Sequence, residues 1–121
     1  MARLSTHVLD TANGVAAGGV RVLLHRLAEQ GSDANAELVA ERVTNHDGRT
    51  DSPLLAGAAI PTGRYRLTFH AGDYFRARGT TLPEPPFVDV VVLHFGIADA
   101  AGHYHVPLLV SPWSYSTYRG S

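Results

Sequence analysis

Gly63-Arg64-Tyr65-Arg66-Leu67-Thr68-Phe69 alternates without a break: Tyr65, Leu67 and Phe69 fall on one side, Arg64, Arg66 and Thr68 on the other. Successive side chains of a strand point to opposite faces, so this run is a strand with one face in a core and one in water. Working outward, the same alternation gives strands over residues 4–9, 20–27, 38–44, 87–97 and 103–110, and a last one from residue 114 to about 119. β-branched residues are dense in these runs, notably Val88, Val90, Val91 and Val92. Turn residues separate them. Asp10-Thr11-Ala12-Asn13-Gly14 and Gly18-Gly19 divide the first two strands, and Asn45-His46-Asp47-Gly48 is a tight turn in which Gly48 can take positive φ. Ala100-Ala101-Gly102 reads as a hairpin closing into His103. Residues 72–78 form the one predicted helix, with Asp73 near its start and Gly79 stopping it. Residues 82–87 carry three prolines and should be extended loop. Seven to eight short strands and one small helix make an all-β, two-sheet sandwich.

A chain of 121 residues suits a single domain over residues 1–121, long enough for a core without covalent staples. The absence of cysteine excludes disulfides, zinc–thiolate sites and thiol nucleophiles. A net charge of -1 with scattered basic residues argues against a nucleic-acid partner. No run is long and apolar enough to span a bilayer, so no membrane partner is expected. The opening Met1-Ala2-Arg3-Leu4-Ser5-Thr6-His7 lacks the apolar segment of a secretory signal, and a cytoplasmic protein is the expectation. Seven histidines direct attention to proton chemistry near neutral pH.

Strand alternation puts Leu4, Thr6 and Val8 on one face of the first strand and Ser5, His7 and Leu9 on the other. In residues 103–110, Tyr104, Val106, Leu108 and Val110 make an apolar face opposite His103, His105, Pro107 and Leu109, which is only partly polar. Trp113, Tyr115 and Tyr118 follow. A strand apolar on both faces must be covered on both. A second copy of the chain would supply the outer cover; the protein's own loops are the other way to do so.

His7 and His105 share this character, each on the outer face of its strand among apolar neighbours. A lone histidine there is usually structural, but two in matching places make a candidate site. Arg49, just past the Asp47-Gly48 turn, is either a solvated loop residue or a clamp for a carbonyl or oxyanion. His103 and His105 have a spacing that suits metal ligation, with His7 as a third ligand, although spacing alone is weak support. No Gly-X-Ser-X-Gly, glycine-rich phosphate loop or His-Glu-X-X-His occurs. A hydrolase built from these residues would activate water directly. A neutral imidazole takes the proton, a guanidinium holds the developing oxyanion, and a second imidazole serves the leaving nitrogen. A strained or activated cyclic amide suits such a site better than a peptide does.

Three blocks resemble the transthyretin-related 5-hydroxyisourate hydrolases. They are Leu4-Ser5-Thr6-His7-Val8-Leu9-Asp10 with Gly14, and Thr44-Asn45-His46-Asp47-Gly48-Arg49-Thr50-Asp51 with Pro53-Leu54-Leu55. The third is His103-Tyr104-His105-Val106-Pro107-Leu108-Leu109-Val110-Ser111-Pro112, continuing to Tyr115-Ser116-Thr117-Tyr118-Arg119-Gly120-Ser121. The resemblance implies a transthyretin-like sandwich assembled as a homotetramer, a dimer of dimers. It implies hydrolysis of 5-hydroxyisourate to 2-oxo-4-hydroxy-4-carboxy-5-ureidoimidazoline in the degradation of urate to allantoin. By motif match the catalytic residues fall on His7, Arg49 and His105, which also bind substrate together with Tyr118 and Ser121; no cofactor or metal is implied. Trp113-Ser114 stands where many members have Tyr-Gly, and His25 is a second departure. A transthyretin-like protein that binds a small ligand is the rival reading. That branch lacks the combination of His7, Arg49, His105 and the terminal Tyr-Arg-Gly-Ser.

Overall fold

The chain runs β1 (Ala2–Asp10), β2 (Val15–Ala16), β3 (Arg21–Arg26), β4 (Glu37–Val43), β5 (Leu55–Gly57) and β6 (Gly63–His70). Helix α1 (Ala71–Ala77), β7 (Val90–Ile97), β8 (His103–Val110) and β9 (Tyr115–Thr117) follow. The computed structural model describes residues 1–120. One sheet has the order β2-β1-β8-β9, with β5 also on β1, and the other has the order β4-β3-β6-β7. Tyr65, Leu67 and Phe69 are buried as their alternation requires, with Val22, Leu24 and Val91 from the same sheet. They meet Leu4, Val8, Leu108 and Val110 from the facing sheet. The two-sheet, mostly-strand architecture with one short helix is the one the sequence predicts.

The helix follows β6 directly and buries Tyr74 and Phe75. Asp73 sits in its first turn, and Gly79, at φ 89°, closes it by donating its N–H to the Arg76 carbonyl. Asp10, buried at the end of β1, accepts from the Asn13 side chain (2.7 Å) and the Tyr74 hydroxyl (2.8 Å), tying helix to sheet.

Four local expectations need correction. The expected hairpin between residues 87–97 and 103–110 does not form. The chain turns after β7, but β7 and β8 belong to different sheets, and β8 pairs in parallel with β1 from Arg3↔His103 to Asp10↔Val110. Periodicity fixes which face of a strand is buried and says nothing about which strand lies beside it. β7 begins at Val90 rather than residue 87, because Asp89 accepts from Gly72 of α1 and Val88 donates to Pro112. β2 and β5 were not anticipated; two or three residues carry no period. β9 is shorter than residues 114–119. Pro107 has no N–H to offer its neighbour. The ladder therefore stops at Leu108↔Thr117 and rejoins, in the same register, at a single His105↔Gly120 bridge.

The outer face of β1, β8 and β9 is not covered by the protein's own loops. Leu9 and Leu109 on it are half-buried. Trp113, Tyr115 and Tyr118, beyond β8, are exposed as well, but Tyr115 pairs with inward-facing Val110 and so is not part of this face.

Candidate active site

His7 and His105 lie on this outer face. In the parallel β1–β8 pair Ser5 stands opposite His105 and His7 opposite Pro107, so the two histidines are diagonal neighbours. Their ring centroids are 6.4 Å apart. The Gly120 N–H donates to the His105 carbonyl (2.6 Å), which draws the C-terminal backbone against the same ring.

Arg49 reaches the pair through a turn clamped to β1. The Asn45 side-chain oxygen accepts from the backbone N–H of Asp47 (2.9 Å) and of Arg49 (3.3 Å), while its amide donates to Asp51 (3.0 Å). Gly48 has φ 73°, and a Cβ there would collide with the Val8 carbonyl oxygen, so only glycine fits on both counts. Val8 in turn donates its N–H to the Gly48 carbonyl (2.8 Å). Strand β5 covers Ala2–Leu4 of β1 and β2 covers Leu9–Asp10; between them His7 makes a single bridge to Arg49. No full strand resumes at Arg49, yet that bridge fixes it beside His7.

Burial pushes the His7 pKa down, and the Arg49 charge pushes it further; the Asp47 carbonyl and carboxylate oppose this and lose. His105 is lowered by burial first, then by Arg49, His7 and Arg3. Both rings are therefore biased toward the neutral form that accepts a proton. His7 Nε2 lies 2.9 Å from the Asp47 carbonyl. A carbonyl only accepts, so Nε2 carries the hydrogen and the neutral ring keeps its lone pair on Nδ1. His105 Nδ1 lies 2.8 Å from the Ser5 hydroxyl.

Of the residues singled out in the sequence, His7, Arg49 and His105 thus come together. Tyr118 lies nearby but faces a different space. It lines a cleft of about 320 Å³ with Val92, Phe95, Tyr104, Val106 and Arg119, and the Arg119 guanidinium stacks 4.1 Å over the Tyr104 ring. Ser121 lies outside the described residues. His103 does not join the pair as a metal ligand would; its Nε2 is engaged by the Met1 carbonyl. Among the described residues no three His, Asp or Glu side chains are grouped as a metal shell. Ser5 and Asn45 escaped the sequence reading. The signals for them were Ser5's place on the His7 face and the Asn-X-Asp-Gly turn.

Residues 4–120 match the model of the HIUase/Transthyretin family. The chain is 58% identical over its whole length to the 5-hydroxyisourate hydrolase of Pseudomonas aeruginosa, covering 93% of that protein. Among solved structures it is similar to an (S)-allantoin synthase, with a TM-score of 0.89 at 50% identity. That match takes in 99% of this chain but only 44% of the synthase. It is also similar to sea bream transthyretin in complex with thyroxine, with a TM-score of 0.82 at 28% identity, covering 98% of this chain and 94% of the transthyretin. Backbone likeness alone does not separate an enzyme from a carrier, since one fold hosts several functions. The family itself is settled: the chain belongs to the HIUase/Transthyretin family.

Proposed function

We propose that the protein hydrolyses 5-hydroxyisourate, opening a cyclic amide with His7, Arg49 and His105 as catalytic residues. The observation that carries this is the pairing of two imidazoles, 6.4 Å apart, both lowered in pKa by burial and by the same arginine. The 58% identity to a relative named for that activity points the same way. One neutral histidine takes a proton from water as the water oxygen bonds to the amide carbonyl carbon. The Arg49 guanidinium stabilises the charge that develops on the carbonyl oxygen. The carbon–nitrogen bond then breaks as the proton drawn from water passes from the first histidine, by way of the second, to the departing nitrogen, and the new carboxylic acid loses its own proton to leave a carboxylate. The product is 2-oxo-4-hydroxy-4-carboxy-5-ureidoimidazoline, and no cofactor or metal takes part. Ser121 contributes to substrate binding from the C-terminal segment, and Tyr118 does so by turning out of the cleft that it lines in the single chain.

In this proposal the protein works as a cytoplasmic homotetramer, a dimer of dimers. The site is open on the outer face of β1 and β8, where His7, His105, Leu9 and Leu109 are only half-buried; a neighbouring copy seated on this face would exclude water from it. No helix among the described residues is long and apolar enough to cross a membrane.

The test is to generate 5-hydroxyisourate with urate oxidase and follow its ultraviolet decay. Catalytic amounts of the protein accelerate the decay, before and after chelator treatment. Stoichiometric binding without turnover would instead favour the transthyretin-like carrier, and loss of activity on chelation would refute a metal-free mechanism.

A further inference from the structure

The His105 ring is held on two edges. Its Nδ1 edge meets the Ser5 hydroxyl at 2.8 Å across the β1–β8 ladder. Its Cδ2 edge rests on Gly120, where an added Cβ would stand 3.0 Å from Cδ2 and 3.3 Å from the His105 Cβ. With Ser5 on one side and Gly120 on the other, Nε2 and Cε1 form the end of the ring that no described residue hydrogen-bonds. Nothing in the catalytic assignment above uses Ser5, although it is part-buried and lies two residues before His7 on the same face.

We propose that Ser5 is a positioning residue: its hydroxyl oxygen accepts the His105 Nδ1–H and thereby keeps the lone pair of the neutral ring on Nε2. Such a contact suits a proton acceptor. When Nε2 takes a proton, both ring nitrogens become donors, and a hydroxyl oxygen that already accepts from Nδ1 needs no reorientation. A hydroxyl that donated to Nδ1 would have to turn around at the moment of reaction. His7 is set the same way by a different device, its Nε2–H being committed to the Asp47 carbonyl. Among the described residues, each histidine thus has one nitrogen fixed by the protein and one left for chemistry. The Ser5 role rests on the proposed catalytic function of His105.

Nitrogen-15 NMR of the His105 ring in the full-length protein, at a pH where the ring is neutral, tests the contact separately from the reaction. The wild type should carry its hydrogen on Nδ1. Ser5→Ala should move the ring toward the Nε2–H tautomer, and Ser5→Thr, which keeps a hydroxyl, should not. In turnover of 5-hydroxyisourate, Ser5→Ala should lower kcat about tenfold to a hundredfold with little change in KM, and Ser5→Thr should restore most of it. An Nε2–H tautomer in the wild type, or the same tautomer population in Ser5→Ala, overturns the proposed contact. A tautomer that moves while kcat holds overturns the catalytic reading of His105, and with it any part for Ser5 in the reaction, but leaves the contact standing.

Discussion

On the outer face of the β3-β6-β7 sheet, His25, Arg66 and His94 stand in one cross-strand row; on the outer face of β1 and β8, His7 and His105 stand with Arg49. Each of these two groups holds two imidazoles and one guanidinium. In the first, Asp33 gathers the charges, accepting from Arg66 at 2.7 Å and lying 3.1 Å from His94 Nε2, and these two partners pull its own pKa down. In the second, the Asp47 carboxylate acts on His7 too weakly to offset burial and Arg49. Burial and then Arg66 still lower the pKa of half-buried His25, but the guanidinium itself is held by the Asp33 carboxylate. A guanidinium that bears on two half-buried imidazoles keeps its field for whatever enters between them. The same residue types therefore make a tether on one sheet and a candidate reaction site on the other, and the partner on the arginine decides which.

The largest expected effect tests that contrast. His7→Ala, Arg49→Ala and His105→Ala should each lower turnover by about a hundredfold or more with the fold intact. Arg66→Ala and His94→Ala should leave it near normal. Comparable losses on both faces, by steady-state kinetics and circular dichroism, would erase the distinction. Gly48→Ala should follow. Strain at positive φ costs about 1–3 kcal/mol, and the collision with the Val8 carbonyl adds to it, so both the denaturant midpoint and turnover should fall. An unchanged midpoint would mean that the turn is not clamped as described.

The acid limb of the pH–rate profile is subtler. Protonation abolishes the neutral imidazoles, and both pKa values are lowered in the fold, so activity should persist below the pH at which an ordinary histidine would lose it. Arg49→Ala removes one cause of the lowering and should move the limb of its residual activity upward. A limb that stays in place would mean that Arg49 does not set the field at the two rings. The smallest effect belongs to Asp33→Asn, which breaks an exposed pair of the kind that contributes little; melting temperature and turnover should barely move.

Much of this was legible in the sequence. Gly63 to Phe69 declared its two faces because one is in the core and one is not. His7 and His105 could be placed on outer faces for the same reason, and the family resemblance chose between the two readings that the turn left open for Arg49. What could not be read was lateral order. The β8 strand pairs with β1, about a hundred residues earlier in the chain, and a turn signal before it suggested a neighbour that the chain does not use. Side-chain contacts across that pairing, Ser5 with His105 above all, were hidden with it. The convergence of Arg49 depends on the Gly48–Val8 clamp. Its glycine was recognised as a turn residue, but its second role, making room for a neighbouring carbonyl, exists only once β1 is beside it.

The most direct test is a crystal structure of the assembled protein with an unreactive purine-like inhibitor bound. The expected result is the inhibitor in a cavity between copies of the chain, within hydrogen-bonding reach of His7, Arg49 and His105. An inhibitor seated elsewhere, with those three side chains on surfaces that share no cavity in the assembly, would contradict the account.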